Sequence, residues 1–431
     1  MNDRTSTTVN LGLFGLGTVG SGVVKILQAQ SRAIEKKTGV RLVLKKVCVR
    51  SLKKKRSVRL PKGVLTTDPA DVLHDPSIDI VIELIGGIHP PKEILERAFS
   101  CGKHVVTANK ALLAERGREV FAEAYRHGRR IGFEASVCGG IPIIKSVKEG
   151  LASNEISGFL GIVNGTCNFI LSAMTQFGVD FRTALSDAQR GGYAEADPAL
   201  DVDGIDSAHK LAVLARLAFK TEVDFRKIHV EGIRGLSAND IEYAAELGYV
   251  IKLLAIAKKK AGGLELRVHP TMLPLDHPLA TVRGVYNAVF LNADQAGDLL
   301  FYGRGAGQMP TASAVMSDVI DIAKRVDASP EPPSFAGSPA RVLPVEDALS
   351  TYYLRFQVQD KPGVLGGIAQ TLGRNDISIL SVHQKESPDQ GSVPVVILTY
   401  AAREKNLRRA LSQIDARKDV RRKTVVLRVE K

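Results

Sequence analysis

The residues from Gly191 to Leu211, G-G-Y-A-E-A-D-P-A-L-D-V-D-G-I-D-S-A-H-K-L, set five carboxylates ahead of a lysine at the start of an apolar run. From Asp206 onward the spacing is helical. Positions four apart share a face, so Asp206 and Lys210 stand one turn apart with the acid first, the favourable order. The stripe continues through Val213, Leu214 and Leu217, and nearly every other position to Phe219 is apolar too, which reads as a buried helix with a half-desolvated lysine. Burial favours the neutral amine and a neighbouring carboxylate favours the ammonium. Such a group keeps its proton yet can give it up, the property of a general acid. Taken alone, the stretch reads more readily as a surface ion pair on a first helical turn, and the rest of the chain shifts that balance.

An acid of this kind needs elements that bring a second reactant to it. Val9 to Phe14 is a short apolar run followed by G-L-G-T-V-G, Gly15 to Gly20, and a helical pattern through Gln30. Strand, glycine turn and helix in that order make a Rossmann unit. Gly15 permits the tight turn, Gly17 lets backbone N–H groups approach a pyrophosphate, and Gly20 allows close helix packing, with Thr18 and Val19 in the same cofactor turn. The next candidate strand, Leu42 to Val49, lacks the terminal acid that would accept a ribose 2′-hydroxyl. It ends in Arg50, then Lys53, Lys54, Lys55 and Arg56. Cations suit a 2′-phosphate, so NADP(H) is expected to be preferred over NAD(H), with Arg50 and Lys53 in contact.

Two further strands are expected at Ile78 to Ile85 and His104 to Thr107, with a helix from Pro91 to Ser100 between them. The second runs straight into Ala108, Asn109 and Lys110. Ligands gather at the carboxyl ends of parallel strands, which puts Lys110 near both cofactor and substrate. The competing reading is that Asn109 caps a helix and Lys110 is merely solvated. A fifth strand, Arg130 to Ala135, leads into S-V-C-G-G-I-P and a helix from Ile143 to Leu151.

The second half reads as α+β. Strands are expected at Phe159 to Val163, Lys227 to Ile233, Leu264 to His269, Tyr286 to Asn292 and Leu299 to Tyr302, with the loop N-G-T-C-N at Asn164 to Asn168. After F-Y-G-R-G-A-G-Q-M-P, a helix from Thr311 to Val326 has the amphipathicity to pack back on the first domain. Pro, Ser, Ala and Glu dominate from Asp327 to Asp347, a linker. Beyond it come a strand (Tyr352 to Val358), a helix (Val364 to Asn375), two strands (Ile377 to Lys385, Val395 to Ala401), a helix (Leu407 to Ala416) and a strand (Thr424 to Val429). This βαββαβ order is ferredoxin-like. In D-K-P-G-V-L, Asp360 to Leu365, Pro and Gly precede a helix whose free N–H groups suit an amino-acid carboxylate.

The chain has 431 residues, enough for two or three domains. Its formal net charge is +13, and Lys36 to Thr67 contains no acid. With no Trp, few rings among these charges and no nucleic-acid-binding signature, a nucleic-acid partner is not expected. No apolar run reaches membrane-span length and the start is polar, so a cytoplasmic protein without a membrane partner is expected. Cys48, Cys101, Cys138 and Cys167 are far apart in sequence and read as reduced thiols rather than a zinc site.

Taken in order, G-L-G-T-V-G, T-A-N-K-A-L-L-A, F-E-A-S, G-G-I-P-I-I, N-G-T-C-N, G-G-Y-A-E-A-D-P, G-I-D-S-A-H-K-L and G-R-G-A-G-Q-M-P-T-A-S-A-V resemble the homoserine dehydrogenase family, in the form with a C-terminal ACT domain. The resemblance spans essentially the whole chain. It implies an α/β protein with a Rossmann domain (1–150), an α+β catalytic and dimerisation domain (151–310), a returning helix (311–326), a linker (327–347) and a ferredoxin-like ACT domain (350–431). It implies NAD(P)-dependent interconversion of L-aspartate 4-semialdehyde and L-homoserine, on the route to threonine and methionine. By the family pattern Lys210 donates the proton, Asp206 stands beside it and Lys110 lies near the reacting end. Glu195 and Asp206 bind the amino acid, while Gly192 and Gly303 approach the cofactor.

The resemblance also implies a structural monovalent cation, usually sodium, at Glu134, Val137, Gly139 and Ile141, threonine as feedback effector, and a dimer or tetramer. Two positions depart from the pattern: Cys138 stands where glycine is frequent, and Cys167 where Thr or Ser is common. A different NADP-dependent amino-acid semialdehyde reductase, or a non-catalytic sensor of amino acid and dinucleotide, are the alternatives. The sensor reading predicts loss of the Lys210 and Asp206 pair, and both residues are present.

Overall fold

The computed structural model describes residues 7–328, 330, 339–385 and 391–430. Residues 329 and 331–338 of the expected linker lie outside the described residues. The chain divides into two compact units. The first comprises Met1–Gly165, Asp206–Arg226 and Val285–Ala340, and the second Thr166–Ile205, Lys227–Gly284 and Arg341–Lys431.

The first unit is built on a parallel sheet of six strands: β1 (Thr7–Phe14), β2 (Val40–Cys48), β3 (Leu65–Thr66), β4 (Ile80–Glu83), β5 (His104–Thr107) and β6 (Ile131–Gly132). Their order is β3-β2-β1-β4-β5-β6, so the winding reverses beside β1 and opens a crevice at its carboxyl end. β4 and β5 are buried at every position, as expected of strands covered on both faces. The helix Thr18–Thr38 and the returning helix Gln308–Lys324 share one core with β1 through Val23, Val24, Val315 and Val319. A Cβ on Gly22 would lie 2.7 Å from the Gln308 carbonyl oxygen, so this crossing needs glycine. The same unit carries an antiparallel trio in which Tyr286–Ala293 pairs with both Ile156–Ile162 and Gly297–Arg304.

The fifth parallel strand is shorter than the expected Arg130 to Ala135. Only Ile131–Gly132 joins the ladder, and Glu134–Ser136 forms a 3₁₀ turn. A side chain ends the pairing: Asp318 Oδ2 accepts the Glu134 N–H at 2.7 Å. Gly132 is needed beneath it, because a Cβ there would fall 2.6 Å from the Asp318 Cβ. The helix expected at Ile143 to Leu151 is α-helical over Ile143–Lys145 and widens into a π turn over Ser146–Gly150.

In the second unit Gly263–Pro274 pairs antiparallel along its full length with Tyr249–Lys260. The strand expected at Lys227 to Ile233 shrinks to His229–Val230. Beyond it Gly232 packs so tightly that a Cβ would sit 2.2 Å from the Val202 carbonyl oxygen. The C-terminal βαββαβ fold is present: Leu349–Gln359 lies between Ser392–Thr399 and Val420–Val429, and Ile379–Gln384 forms the edge. Two helices, Val364–Arg374 and Glu404–Asp415, bury Ile368, Leu372, Leu407 and Ile414 against Leu354 and Phe356. Its last strand also pairs in parallel with Gly263–Pro274, Thr271 opposite Arg428. There the buried Arg428 bridges Glu231 (2.9 Å) and Glu404 (2.6 Å). Among the described residues no helix is long and apolar enough to cross a membrane.

Candidate active site

Asp206 and Lys210 occupy successive turns of the helix Ile205–Ala218, which is buried at twelve positions and therefore gives its polar groups little access to water. The Lys210 ammonium donates to Asp206 Oδ2 at 2.8 Å and to the Val163 carbonyl at 2.6 Å. Asp206 Oδ1 faces the Lys110 ammonium at 3.2 Å. One carboxylate thus bridges two lysines, one nearly enclosed and one well exposed, with side-chain exposures of 12% and 41%. Burial alone would raise the Asp206 pKa. The Lys210 charge, then that of Lys110, with hydrogen bonds from Lys210 and Asn164, overrides this and holds the carboxyl well below the usual range.

Asn164 is a participant that motif reading passed over. Its Nδ2 donates to Asp206 Oδ2 at 2.8 Å, so N-G-T-C-N contributes its first side chain to the carboxylate. The available signal was its place directly after an apolar strand, the position from which loops reach a site.

Lys110 begins the helix Lys110–Arg126, and the competing reading of A-N-K holds only for its cap. Asn109 caps the helix by accepting the Leu112 N–H, and Lys110 is paired rather than merely solvated. The turn is held from beneath. Buried Glu83 accepts the Thr107 hydroxyl at 2.7 Å and the Ile85 N–H at 2.7 Å, while Thr107 Oγ1 accepts the Asn109 N–H. These bonds fix the ends of β4 and β5 relative to each other.

The glycine turn has the geometry of an anion cradle. Gly15 adopts φ +92°, and a Cβ there would meet the Leu84 carbonyl oxygen at 2.7 Å. A Cβ on Gly20 would lie 2.2 Å from the Gly15 oxygen, whereas the space over Gly17 is open. No side chain caps the helix that starts at Thr18 and Val19, and no acid sits in its first turn, so its N–H groups are available to a phosphate. Arg50 and Lys53 are exposed just past β2. Arg56 instead organises the loop, donating to the carbonyls of Leu52 (3.1 Å) and Lys54 (2.8 Å).

Glu134, Val137, Gly139 and Ile141 lie in one buried loop. The Glu134 carboxylate accepts N–H groups from Ile144 and Lys145 at 2.8 and 2.9 Å, so the loop offers an ion mainly backbone carbonyl oxygen. Burial pushes the Cys138 thiol up to about 11, and no thiolate competes. Oxygen donors without thiolate fit a hard monovalent cation. Cys138 itself holds φ +55°, the left-handed conformation that glycine adopts freely, which accounts for glycine being a natural alternative at this position. The loop packs against G-R-G-A-G. A Cβ on Gly303 would lie 3.1 Å from Ile141, and one on Gly305 would lie 2.0 Å from Asn287.

Gly192 and Glu195 belong to the second unit, on an exposed segment. Gly192 takes φ +71°, and the segment is tied to N-G-T-C-N by the Thr166 hydroxyl, which donates to the Tyr193 carbonyl at 2.6 Å, and by Phe169 packed on Tyr193. The Asp203 carboxylate pairs with Arg234.

Comparison with known proteins covers the whole chain. Residues 142–320 match the homoserine dehydrogenase family, residues 15–134 the homoserine dehydrogenase NAD-binding domain, and residues 352–419 the ACT domain. The chain is 45% identical to the homoserine dehydrogenase of Neisseria gonorrhoeae, over 98% of both chains. It is 47% identical to that of Synechocystis, over 98% of this chain and 99% of the relative. Among solved structures, a homoserine dehydrogenase from Thiobacillus denitrificans superposes with a TM-score of 0.92 at 44% identity, covering 99% of each chain. A hyperthermophilic archaeal homoserine dehydrogenase in complex with NADPH matches 73% of this chain and 97% of its own, with a TM-score of 0.62 at 27% identity. With a dinucleotide-type crevice, an acid–lysine cluster and a βαββαβ C-terminal fold already in place, these matches mean that the chain is an oxidoreductase and belongs to the homoserine dehydrogenase family.

Proposed function

We propose that Lys210 is the proton donor when L-aspartate 4-semialdehyde is reduced to L-homoserine, and that Asp206 keeps it charged and aimed. The observation that carries this is the single carboxylate shared by Lys210 at 2.8 Å and Lys110 at 3.2 Å. NAD(P)H, when bound, supplies the hydride. Negative charge then grows on the former aldehyde oxygen, which needs an adjacent acid. Lys210 is the better held lysine, since the Val163 carbonyl and the Asp206 carboxylate both accept its N–H groups. Lys110, more exposed, orients the substrate and complements the developing charge. Glu195, on its motif, takes the substrate ammonium.

The cofactor reading extends to NADP(H) in preference to NAD(H), through Arg50 and Lys53. Support comes from the acid-free segment after β2 and from the NADPH complex of the archaeal relative. Gly15, Gly17, Thr18, Val19 and Gly20 hold the pyrophosphate, while Lys110, Gly192 and Gly303 approach the remainder of the cofactor. Sodium at the carbonyls of Glu134, Val137, Gly139 and Ile141 would brace the loop without entering the reaction.

The domain limits we assign are 1–150, 151–310, 311–326, 327–347 and 350–431. Threonine is the proposed effector of the ACT domain, where Gly363 at φ +89° opens the helix Val364–Arg374 with no side-chain cap. Unchanged turnover across millimolar threonine would remove that assignment. A homo-oligomer fits the exposed Leu300 and Tyr302 on the strand Gly297–Arg304, and a cytoplasmic location fits a biosynthetic role.

The test is NADP-dependent oxidation of L-homoserine by wild type and Lys210→Ala, with NADPH binding followed by fluorescence. Turnover lost and binding retained is the expected outcome. Loss of turnover in Lys110→Ala but not in Lys210→Ala would reverse the two roles.

A further inference from the structure

The helix Ile205–Ala218 carries more than Asp206 and Lys210. Asp206, His209 and Arg216 share one stripe of it by their spacing, and each reaches the helix Lys110–Arg126. Asp206 meets Lys110. His209, its ring stacked on Phe225 at 4.6 Å, brings Nε2 within 3.4 Å of Glu115 Oε1. Arg216 reaches into the backbone itself. Its Nη1 donates to the Leu113 carbonyl at 2.7 Å and its Nη2 to the Ala114 carbonyl at 3.4 Å, one turn beyond Lys110.

The guanidinium is buried, and the buried Glu222 answers its charge, with Oε2 at 3.2 Å from Nε. Taking such a pair out of water costs free energy that an apolar side chain of similar size would not. What the guanidinium adds is direction, because N–H groups in a rigid planar fork fix where the carbonyls facing them stand. The partner helix is shaped to admit it. A Cβ on Gly117 would lie 2.7 Å from Arg216 Nη1 and 3.2 Å from Cζ, so a glycine occupies a helix interior where propensity disfavours it.

We propose that Arg216 is a positioning residue of the reaction: by clasping the opening turns of the helix Lys110–Arg126, it holds the Lys110 ammonium on the Asp206 carboxylate. Arg216 stands six residues beyond Lys210, about 9 Å along the helix axis, and acts from there through the backbone that carries Lys110. An ion pair as exposed as that of Lys110 holds a long side chain weakly, so the placement of its backbone decides whether the contact persists. Thr107 and Asn109 fix the start of this helix from the sheet, and Arg216 fixes it from the side of Asp206. The inference rests on the substrate-orienting role given to Lys110.

The test is a double-mutant cycle on semialdehyde reduction by the full chain, pairing Gly117→Ala and Arg216→Lys each with Lys110→Ala. Gly117→Ala gains helix propensity, and the end of a side chain rather than backbone must give way, so its unfolding temperature should stay near wild type. Arg216→Lys keeps a cation for Glu222 and lacks the fork for both carbonyls. Each should lower kcat/KM for the semialdehyde about tenfold, the larger share in KM, with NADPH binding by fluorescence within about threefold of wild type. In the Lys110→Ala background the same substitutions should cost less than about twofold, because the group they aim is gone. Losses confined to kcat, or undiminished in that background, would overturn the proposal, since Arg216 would then serve the fold and not Lys110. Single variants within about twofold of wild type would overturn it as well. Lys110→Ala with undiminished kcat/KM would instead remove the role given to Lys110, and this inference with it.

Discussion

Replacing Asp206 by Asn removes one negative charge from between two ammonium groups and preserves size. At an effective dielectric of about 20, a charge pair about 4 Å apart is worth about 4 kcal/mol. For Lys210, with 12% of its side chain exposed against 9% for Asp206, most of that interaction persists. For Lys110, at 41% exposure, solvent screening reduces it to about 1 kcal/mol or less. With the amide oxygen in the Oδ2 position Lys210 and Asn164 keep their acceptor, but the amide nitrogen then faces the Lys110 ammonium at the Oδ1 position. A stability loss of about 3 kcal/mol follows, at the low end for breaking a buried pair. For catalysis, a donor less firmly charged and less firmly aimed should lower kcat/KM by about 100-fold, or about 2.7 kcal/mol.

The assays are urea unfolding, and homoserine oxidation and semialdehyde reduction from pH 6 to 10. In reduction, loss of the donor proton sets the basic limb of the pH–rate profile. Without its counter-charge that limb should move to lower pH, a change that damage to folding alone would not produce. A variant within threefold of wild-type kcat/KM and with the same pH profile would refute the shared-carboxylate account.

Three further outcomes are expected. Arg50→Ala combined with Lys53→Ala should raise KM for NADP about tenfold or more and leave KM for NAD within about twofold, because only the 2′-phosphate loses charge-assisted partners; equal effects on both cofactors would discard the assignment. Asp318 is raised from 3.8 to about 7, by burial first and then by the nearby Glu134 charge against the bond from the Glu134 N–H, so the folded protein holds a proton that the unfolded chain releases. Its contribution is complete below about pH 4 and is lost as pH rises through about 7, at most about 4 kcal/mol. Asp318→Asn keeps the acceptor for Glu134, so its urea midpoint should gain on wild type between pH 6 and pH 8.5, and a constant difference would contradict this. Arg428→Met leaves Glu231 and Glu404 without their shared cation and should cost about 3 kcal/mol in urea unfolding, with Arg428→Lys intermediate because an ammonium lacks the guanidinium fork; a loss under about 1 kcal/mol would show the network to be solvent-screened.

The sequence by itself determined whatever depends on neighbours along the chain. Four-residue spacing fixed Asp206 and Lys210 on one helical face, and G-L-G-T-V-G required a turn that only glycine tolerates at Gly15 and Gly20. Pro and Gly punctuation with strand and helix periods exposed the βαββαβ order of the C-terminal fold. Tertiary structure decided everything that depends on distant partners. The Lys110 contact with Asp206 joins residues 96 positions apart, and Asn164 reaches the same carboxylate from 42 positions away. Within Tyr249–Lys260, residues 249–257 are apolar but for Lys252, a run that periodicity cannot separate from a buried helix, and it became a strand because Gly263–Pro274 folds back along it. The fifth parallel strand ended early because Asp318, far along the chain, captured the Glu134 N–H that a ladder would have used. Hydrogen bonding and desolvation depend on what is nearby in space, and the chain fixes that only once it has folded.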